Sequence, residues 1–399
     1  MHLDESLYQI FRSLPVIPFA GAIKAPALNR LSARLAFFKH GTLPRFTYPK
    51  AQAFNTVEYL NQLTAVRHQI ETLQCEQILK QLYLDKLAEL EQRTHLMHAA
   101  AQSDDQTVSR ISLELYGQPH TDLASFETEF TEKLAKARAG QAHTHQKIIN
   151  APQFCALLEA ALHHYQVPHC KVKLSPRKRL QCSHNHQHPG LIFRVPKKLL
   201  ISRKRAERLI AHEIEVHALR RLNGTNSELH LLKFGLAGYQ KTEEGLALWH
   251  QHRHEHKADH LPGFWDAWAT ALIFTLGFAD AFDRLVQAKL ELDQATEKTT
   301  TLKQAKLSAW NLCERSSRGI SQPGPSGIGY FHDHIYRQGY LEVTREIENH
   351  GQDAVLPHLF AGKLGLKDLP ALKSLNIRPG ELPDNVNAMI VASKLKTSR

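Results

Sequence analysis

The sequence predicts an α+β protein, with a mainly helical region over residues 1–145 followed by a mixed region over 146–399 that holds a small sheet and a histidine-bearing helix. Two observations carry this. Apolar residues recur at three- and four-residue steps through the first part, the signature of a helix with one buried face, and after Pro168 the period drops to two, as in half-buried strands.

Taken in order, residues 1–50 carry Pro15, Pro18, Pro26, Pro44 and Pro49, which break any long element. Tyr59, Leu60, Leu63, Val66 and Ile70 then mark a helix, and Leu79, Leu82, Leu84, Leu87 and Leu90 continue the pattern in a second one. Further helices are expected over Thr107–Tyr116, Thr121–Ala139 and Pro152–Tyr165. Strands are expected at Cys170–Leu174, Arg179–Cys182 and Leu191–Val195. Ser202 is placed to cap a helix over Arg203–Leu222, with Asn223-Gly224 as its stop signal. Helix is expected again over Ser227–Tyr239, Thr242–His256, Trp265–Leu290 and Val343–Asn349.

Composition narrows the class. The chain has 399 residues, 42% hydrophobic and 22% charged, close to globular averages. Its five cysteines are scattered and form no C-x-x-C pair, which argues against a disulfide scaffold or a zinc ribbon. The N-terminal sequence lacks the basic and apolar regions of a signal peptide, and no apolar stretch is long enough to span a membrane, so a cytoplasmic protein is expected. The formal net charge is +11, and it is local: residues 171–221 hold fourteen Lys or Arg against Glu207, Glu213 and Glu215. A field of that kind suits a polyanionic partner: nucleic acid, an acidic peptide or a membrane surface.

That window runs into the segment AHEIEVHALRRL, with His212, Glu213 and His217. Two histidines beside a glutamate on one helix suit a hydrolytic zinc site, with imidazoles as ligands and the carboxylate as general base. The usual spacing is H-E-x-x-H. Here the second histidine is five residues on, roughly 140° away on a regular ~3.6-residue helix. Both face one ion only if the helix widens locally to a π-type turn. A third ligand is then required, and Glu243 and Glu244 in the segment TEEGLA are both candidates. Spacing alone does not choose between them.

H-E-x-x-x-H followed by E-G-L-A resembles the domain-of-unknown-function 1704 family, which includes bacterial proteins labelled by a Q-E-G-L-A motif and the eukaryotic microtubule-associated tyrosine carboxypeptidases. The segments PRFTYP (44–49), LYGQP (115–119), LRRLNG (219–224) and RSSRG (315–319) extend the resemblance over most of the chain. It implies a zincin-like metallopeptidase domain over 146–399, with Zn2+ held by His212, His217 and Glu244, and Glu213 activating water. Glu243 falls at the family's Gln position. One departure stands out: the family's first motif reads H-E-I-G-T-H, and Glu215-Val216 replace its Gly-Thr here, putting a second carboxylate two residues from the base.

A carboxypeptidase also needs a cation for the terminal carboxylate, and Arg315 and Arg318 of RSSRG are the candidates, with Arg318 preferred. Tyr330, His332, Tyr336 and Tyr340 are candidate oxyanion donors. The strand Leu191–Val195, just before the metal helix, is expected to be the edge strand that aligns substrate. The resulting expectation is a zinc carboxypeptidase that removes a C-terminal residue from an acidic tail. The competing expectation is a regulator or nucleic-acid binder that keeps the fold and uses the basic surface of 171–221. The histidine-rich segments His184/His186/His188 and His250–His260 are weaker metal candidates.

Overall fold

The computed structural model describes residues 2–49, 54–139, 147–176, 180–185, 188–252, 262–296 and 301–384. It is mostly helical, with one two-stranded and one three-stranded sheet, consistent with the α+β class. The chain divides into two compact units, each discontinuous in sequence. One comprises Met1–Glu5, His143–Lys257 and Gly339–Arg399; the other comprises Ser6–Ala142 and Ala258–Gln338.

The second of these is helical. The two helices expected from the apolar pattern are present as Thr56–Thr72 and Gln77–Ala101, and Asn55 caps the first by accepting from the Glu58 backbone N–H. The run read as one helix over Trp265–Leu290 is two, Phe264–Leu276 and Phe278–Ala295, divided at Gly277, whose φ of +88° an L side chain rarely adopts. The apolar core joins Phe37, Phe126 and Phe130 to Trp268, Phe278 and Trp310. Residues 258–338 therefore group with the N-terminal helices, whereas the sequence division at 145/146 assigns them to the second region. Helical periodicity shows that Trp268 and Phe278 are buried, but not which partner covers them.

The other unit carries both sheets. Strands β1 (Ile148–Asn150), β2 (Lys171–Ser175), β3 (Gln181–Asn185), β4 (His188–Pro196) and β5 (Leu200–Ser202) pair as β1–β5 and as β2–β4–β3. β4 is parallel to β2 and antiparallel to β3. The strand expected at an edge is thus the central one, with both of its hydrogen-bonding sides used, and the outer strands are β2 and β3. Sequence order placed it next to the metal helix, but pairing is non-local and put β3 outside it.

Ser202 does cap the following helix, accepting from the Arg205 backbone N–H at 3.3 Å. That helix runs on as a π-helix over Ala211–Ala218 and a further turn over Leu219–Asn226. It does not stop at Asn223-Gly224: Gly224 is helical, and a Cβ there would lie 2.5 Å from the Leu232 carbonyl oxygen, so this glycine permits a close crossing. The helix expected over Ser227–Tyr239 shrinks to Leu231–Phe234. Ile210, Ile214 and Ala218 point the continuous helix into a core with Phe154, Leu158, Phe193 and Val195. This burial fixes which face of the helix is left for chemistry. No described helix is long and apolar enough to cross a membrane.

Candidate metal centre

The widened turn that the histidine spacing demands is present: Ala211–Ala218 is π-helical. It brings the His212 and His217 rings to a centroid distance of 4.8 Å at 82° to one another. The facing helix, Gln240–His252, supplies Glu244. Glu244 Oε2 lies 3.6 Å from His212 Nε2 and 3.6 Å from His217 Nε2, with all three side chains largely but not wholly buried. This is the one His/Cys/Asp/Glu group among the described residues whose ligand atoms converge as a metal site requires.

The donor set fits zinc. Two ligands at zinc-like bond lengths of ~2.1 Å and a tetrahedral angle lie about 3.4 Å apart, close to the 3.6 Å separations here. His212 Nδ1 is buried with no hydrogen-bond partner among the described residues. Gly245, next to Glu244, lets the backbone of Gly339-Tyr340 press against this helix: a Cβ at 245 would sit 2.1 Å from the Gly339 carbonyl carbon.

Glu243 does something the sequence did not reveal. Its Oε1 accepts from His217 Nδ1 at 2.8 Å, and its other oxygen accepts from Arg220 Nη1. Arg220 is fully buried, and its remaining nitrogens donate to the carbonyls of Leu359 and Leu364, at 2.8 Å each. In the neutral ring that binds a metal, a proton held on Nδ1 by Glu243 leaves the Nε2 lone pair of His217 on the side of Glu244, the arrangement by which outer carboxylates orient metal-binding histidines. Burial pulls the His217 imidazole down, but Glu244 and Glu243 outweigh it and raise it well above the ordinary value. Burial opposes the charge on Glu243, but Arg220 and then His217 hold its carboxyl at about 2. Burial likewise opposes the charge on Glu244, but His217 and then His212 hold its carboxyl well below the usual range. Arg220, counted in sequence as part of a positive surface, is therefore an interior counter-ion.

Glu213 lies on the same widened turn, partly exposed. Its carboxylate is within electrostatic reach of the Cys182 thiol on β3, which burial first and Glu213 next push up. Glu215 does not crowd it: this second carboxylate turns to the interior and accepts from His250. His250 is thus part of a buried pair and no surface metal ligand, while its neighbours His254, His256 and His260, like His186, fall outside the described residues.

The remaining candidates, Tyr340 apart, sit in the other unit. Arg315 donates to Asp333 at 2.7 Å and pairs with Asp266 at 2.9 Å, so its charge is committed. Arg318 makes no direct hydrogen bond or ion pair among the described residues, although Asp266 and Asp333 feel its charge. His332 is buried, bonded to Asp333 at 3.0 Å and packed at 6.1 Å from Tyr336. Tyr330 is committed to Tyr116 through their hydroxyls at 3.1 Å. Of the four oxyanion candidates, Tyr340 alone shares a unit with the two histidines.

A family model described as microtubule-associated tyrosine carboxypeptidase matches residues 35–252, more than half of the chain. The chain belongs to this family. No curated protein matches it in sequence. Within this tyrosine carboxypeptidase family match lie His212, Glu213, His217, Glu243 and Glu244, whereas Arg315, Arg318, His332 and Tyr336 follow it.

Proposed function

We propose that this member of the tyrosine carboxypeptidase family is a zinc-dependent carboxypeptidase that removes one C-terminal residue from an acidic peptide or protein tail. The observation that carries the reading is the convergence of His212 Nε2 and His217 Nε2 on Glu244 Oε2 at 3.6 Å each, with Glu213 on the same turn. A zinc ion in that cradle would polarise the scissile carbonyl and make water a stronger acid. Glu213 accepts the proton of the attacking water and hands it to the leaving amine. Glu243 and Arg220 hold His217 in one tautomer throughout. β3 supplies an outer strand edge for the substrate main chain, and its Cys182 lies within electrostatic reach of Glu213.

Acidic tails meet a positive surface. Lys171, Lys173, Lys197, Lys198, Lys204 and Arg205 are exposed. Opposite charge of this kind speeds encounter and weakens with salt. Of the two arginines that the sequence offers for a terminal carboxylate, Arg318 makes no ion pair among the described residues, whereas Arg315 is bound to two aspartates. The test is mass spectrometry of paired peptides ending in free or amidated tyrosine. Loss of a single residue from the free acid alone is expected. Equal cleavage of both would mean an endopeptidase, and no cleavage together with salt-sensitive DNA binding by Glu213→Gln protein would favour the nucleic-acid reading.

A further inference from the structure

Glu215, one of the two residues that depart from the family's first motif, is 1% exposed, although it lies between two side chains that face the proposed metal. A buried carboxylate is costly unless its oxygens are bonded. Here Oε2 meets His250 Nε2 at 2.7 Å, with the two side chains 2% and 1% exposed, and Oε1 lies 3.3 Å from the Tyr165 hydroxyl. Tyr165 ends the helix Ala151–His164, and its hydroxyl also lies 2.7 Å from the Asp384 carbonyl oxygen. Three separate segments, the π turn, the end of the Gln240–His252 helix and Tyr165, therefore meet at one buried carboxylate, all inside one compact unit.

The placement of His250 gives this junction mechanical meaning. It is six residues beyond Glu244, about 9 Å further along the same helix at ~1.5 Å per residue. That helix is thus tied to the π turn at two levels. At the first, Glu244 and Glu243 face His212 and His217; at the second, His250 grips Glu215. A single attachment leaves a helix free to pivot and roll. Two attachments separated along the axis fix both motions, and hence where the Glu244 carboxylate points. Ligand convergence within a few tenths of an ångström is what a metal site requires and what its supporting residues must enforce.

We propose that Glu215, His250 and Tyr165 form a positioning bridge that sets Glu244 against the two imidazoles, so that metal affinity depends on residues that never touch the metal. The bridge rests on the zinc reading above, and the experiment separates the two. The full chain is loaded with zinc or cobalt, and three quantities are read: zinc affinity by chelator competition, the visible spectrum of the cobalt form, and the thermal midpoint of the metal-free protein. Glu215→Ala and His250→Leu are each expected to weaken zinc binding by about 10- to 100-fold, the range for lost supporting residues, and to alter the cobalt spectrum. Glu215→Gln keeps an acceptor for His250 and is expected to restore most of the affinity. The double variant Glu215→Ala/His250→Leu removes both members of the buried pair, so its metal-free thermal midpoint should rise above that of either single variant while zinc affinity and cobalt spectrum stay impaired. Unchanged affinity and spectrum in the single variants would overturn the bridge, as would their recovery in step with the thermal midpoint in the double variant. Equal losses in the Gln and Ala variants would also overturn it. Wild-type protein that binds neither metal would overturn the zinc reading itself.

Discussion

Replacing Glu243 by Gln changes one atom and should damage two properties at once. The carboxylate serves two donors, His217 Nδ1–H at 2.8 Å and the Arg220 guanidinium. An amide cannot accept from both. With its oxygen toward His217, its NH2 meets the Arg220 Nη1 donor and leaves a fully buried cation without its counter-charge. Removing one partner of such a pair costs about 3–5 kcal/mol. In a unit of this size, each kcal/mol lowers the thermal midpoint by roughly 2–4 °C, so the metal-free protein should melt about 6–20 °C lower. With its nitrogen toward His217 instead, Nδ1 must accept, the ring proton moves to Nε2, and the lone pair facing Glu244 is lost. Supporting-residue losses of this kind weaken metal affinity by about 10- to 100-fold. Calorimetry of metal-free protein and chelator competition read the two effects. A Glu243→Gln protein with wild-type melting and wild-type zinc affinity would refute the assignment of Glu243 as the orienting partner of His217.

Other expectations follow from the same geometry. Glu213→Gln should retain zinc and lose at least about 10²-fold in turnover, the usual scale for a general base; unchanged hydrolysis would move the role elsewhere. Arg315→Ala should destabilise its unit by about 3–5 kcal/mol in denaturant titration, because the buried Asp333 carboxylate loses its cation. Burial works against the Asp333 charge, yet Arg315 and His332 hold its carboxyl below the usual range. In the wild type this contribution is therefore present above the unfolded value of about 4 and is lost as pH falls below it. Equal acid sensitivity of wild type and Arg315→Ala would contradict that sign. Acidic residues upstream of the cut should speed cleavage at low salt, with the advantage shrinking as ionic strength rises.

What could be read from sequence follows a physical pattern. His212, Glu213 and His217 were legible because their chemistry is local, and the five-residue spacing itself demanded the π turn that is found. Glu244 faced the histidines, but the role of its neighbour was hidden. Glu243 finds Arg220 at a separation of 23 residues, and Glu215 finds His250 at 35, and no periodicity encodes such pairs. Arg220 was counted as surface charge and His250 as part of a histidine-rich face because type and spacing say nothing about burial. Strand pairing failed for the same reason: Leu191–Val195 is recognisable as a strand, yet only the finished sheet makes it central. Gly224 and Gly277 show both meanings of one residue, a close crossing inside a helix and a true break between two.

The central claim is that His212, His217 and Glu244 together hold one zinc ion on which peptide cleavage depends. Elemental analysis of the purified full chain tests it most directly, beside the same measurement on a His212→Ala/His217→Ala double variant and on Glu244→Gln. About one zinc per chain in the wild type is expected, with near-complete loss in the double variant, strong loss in Glu244→Gln, and cleavage tracking the bound metal. Full zinc retention in the double variant, or wild-type protein that cleaves peptides without metal, would contradict it.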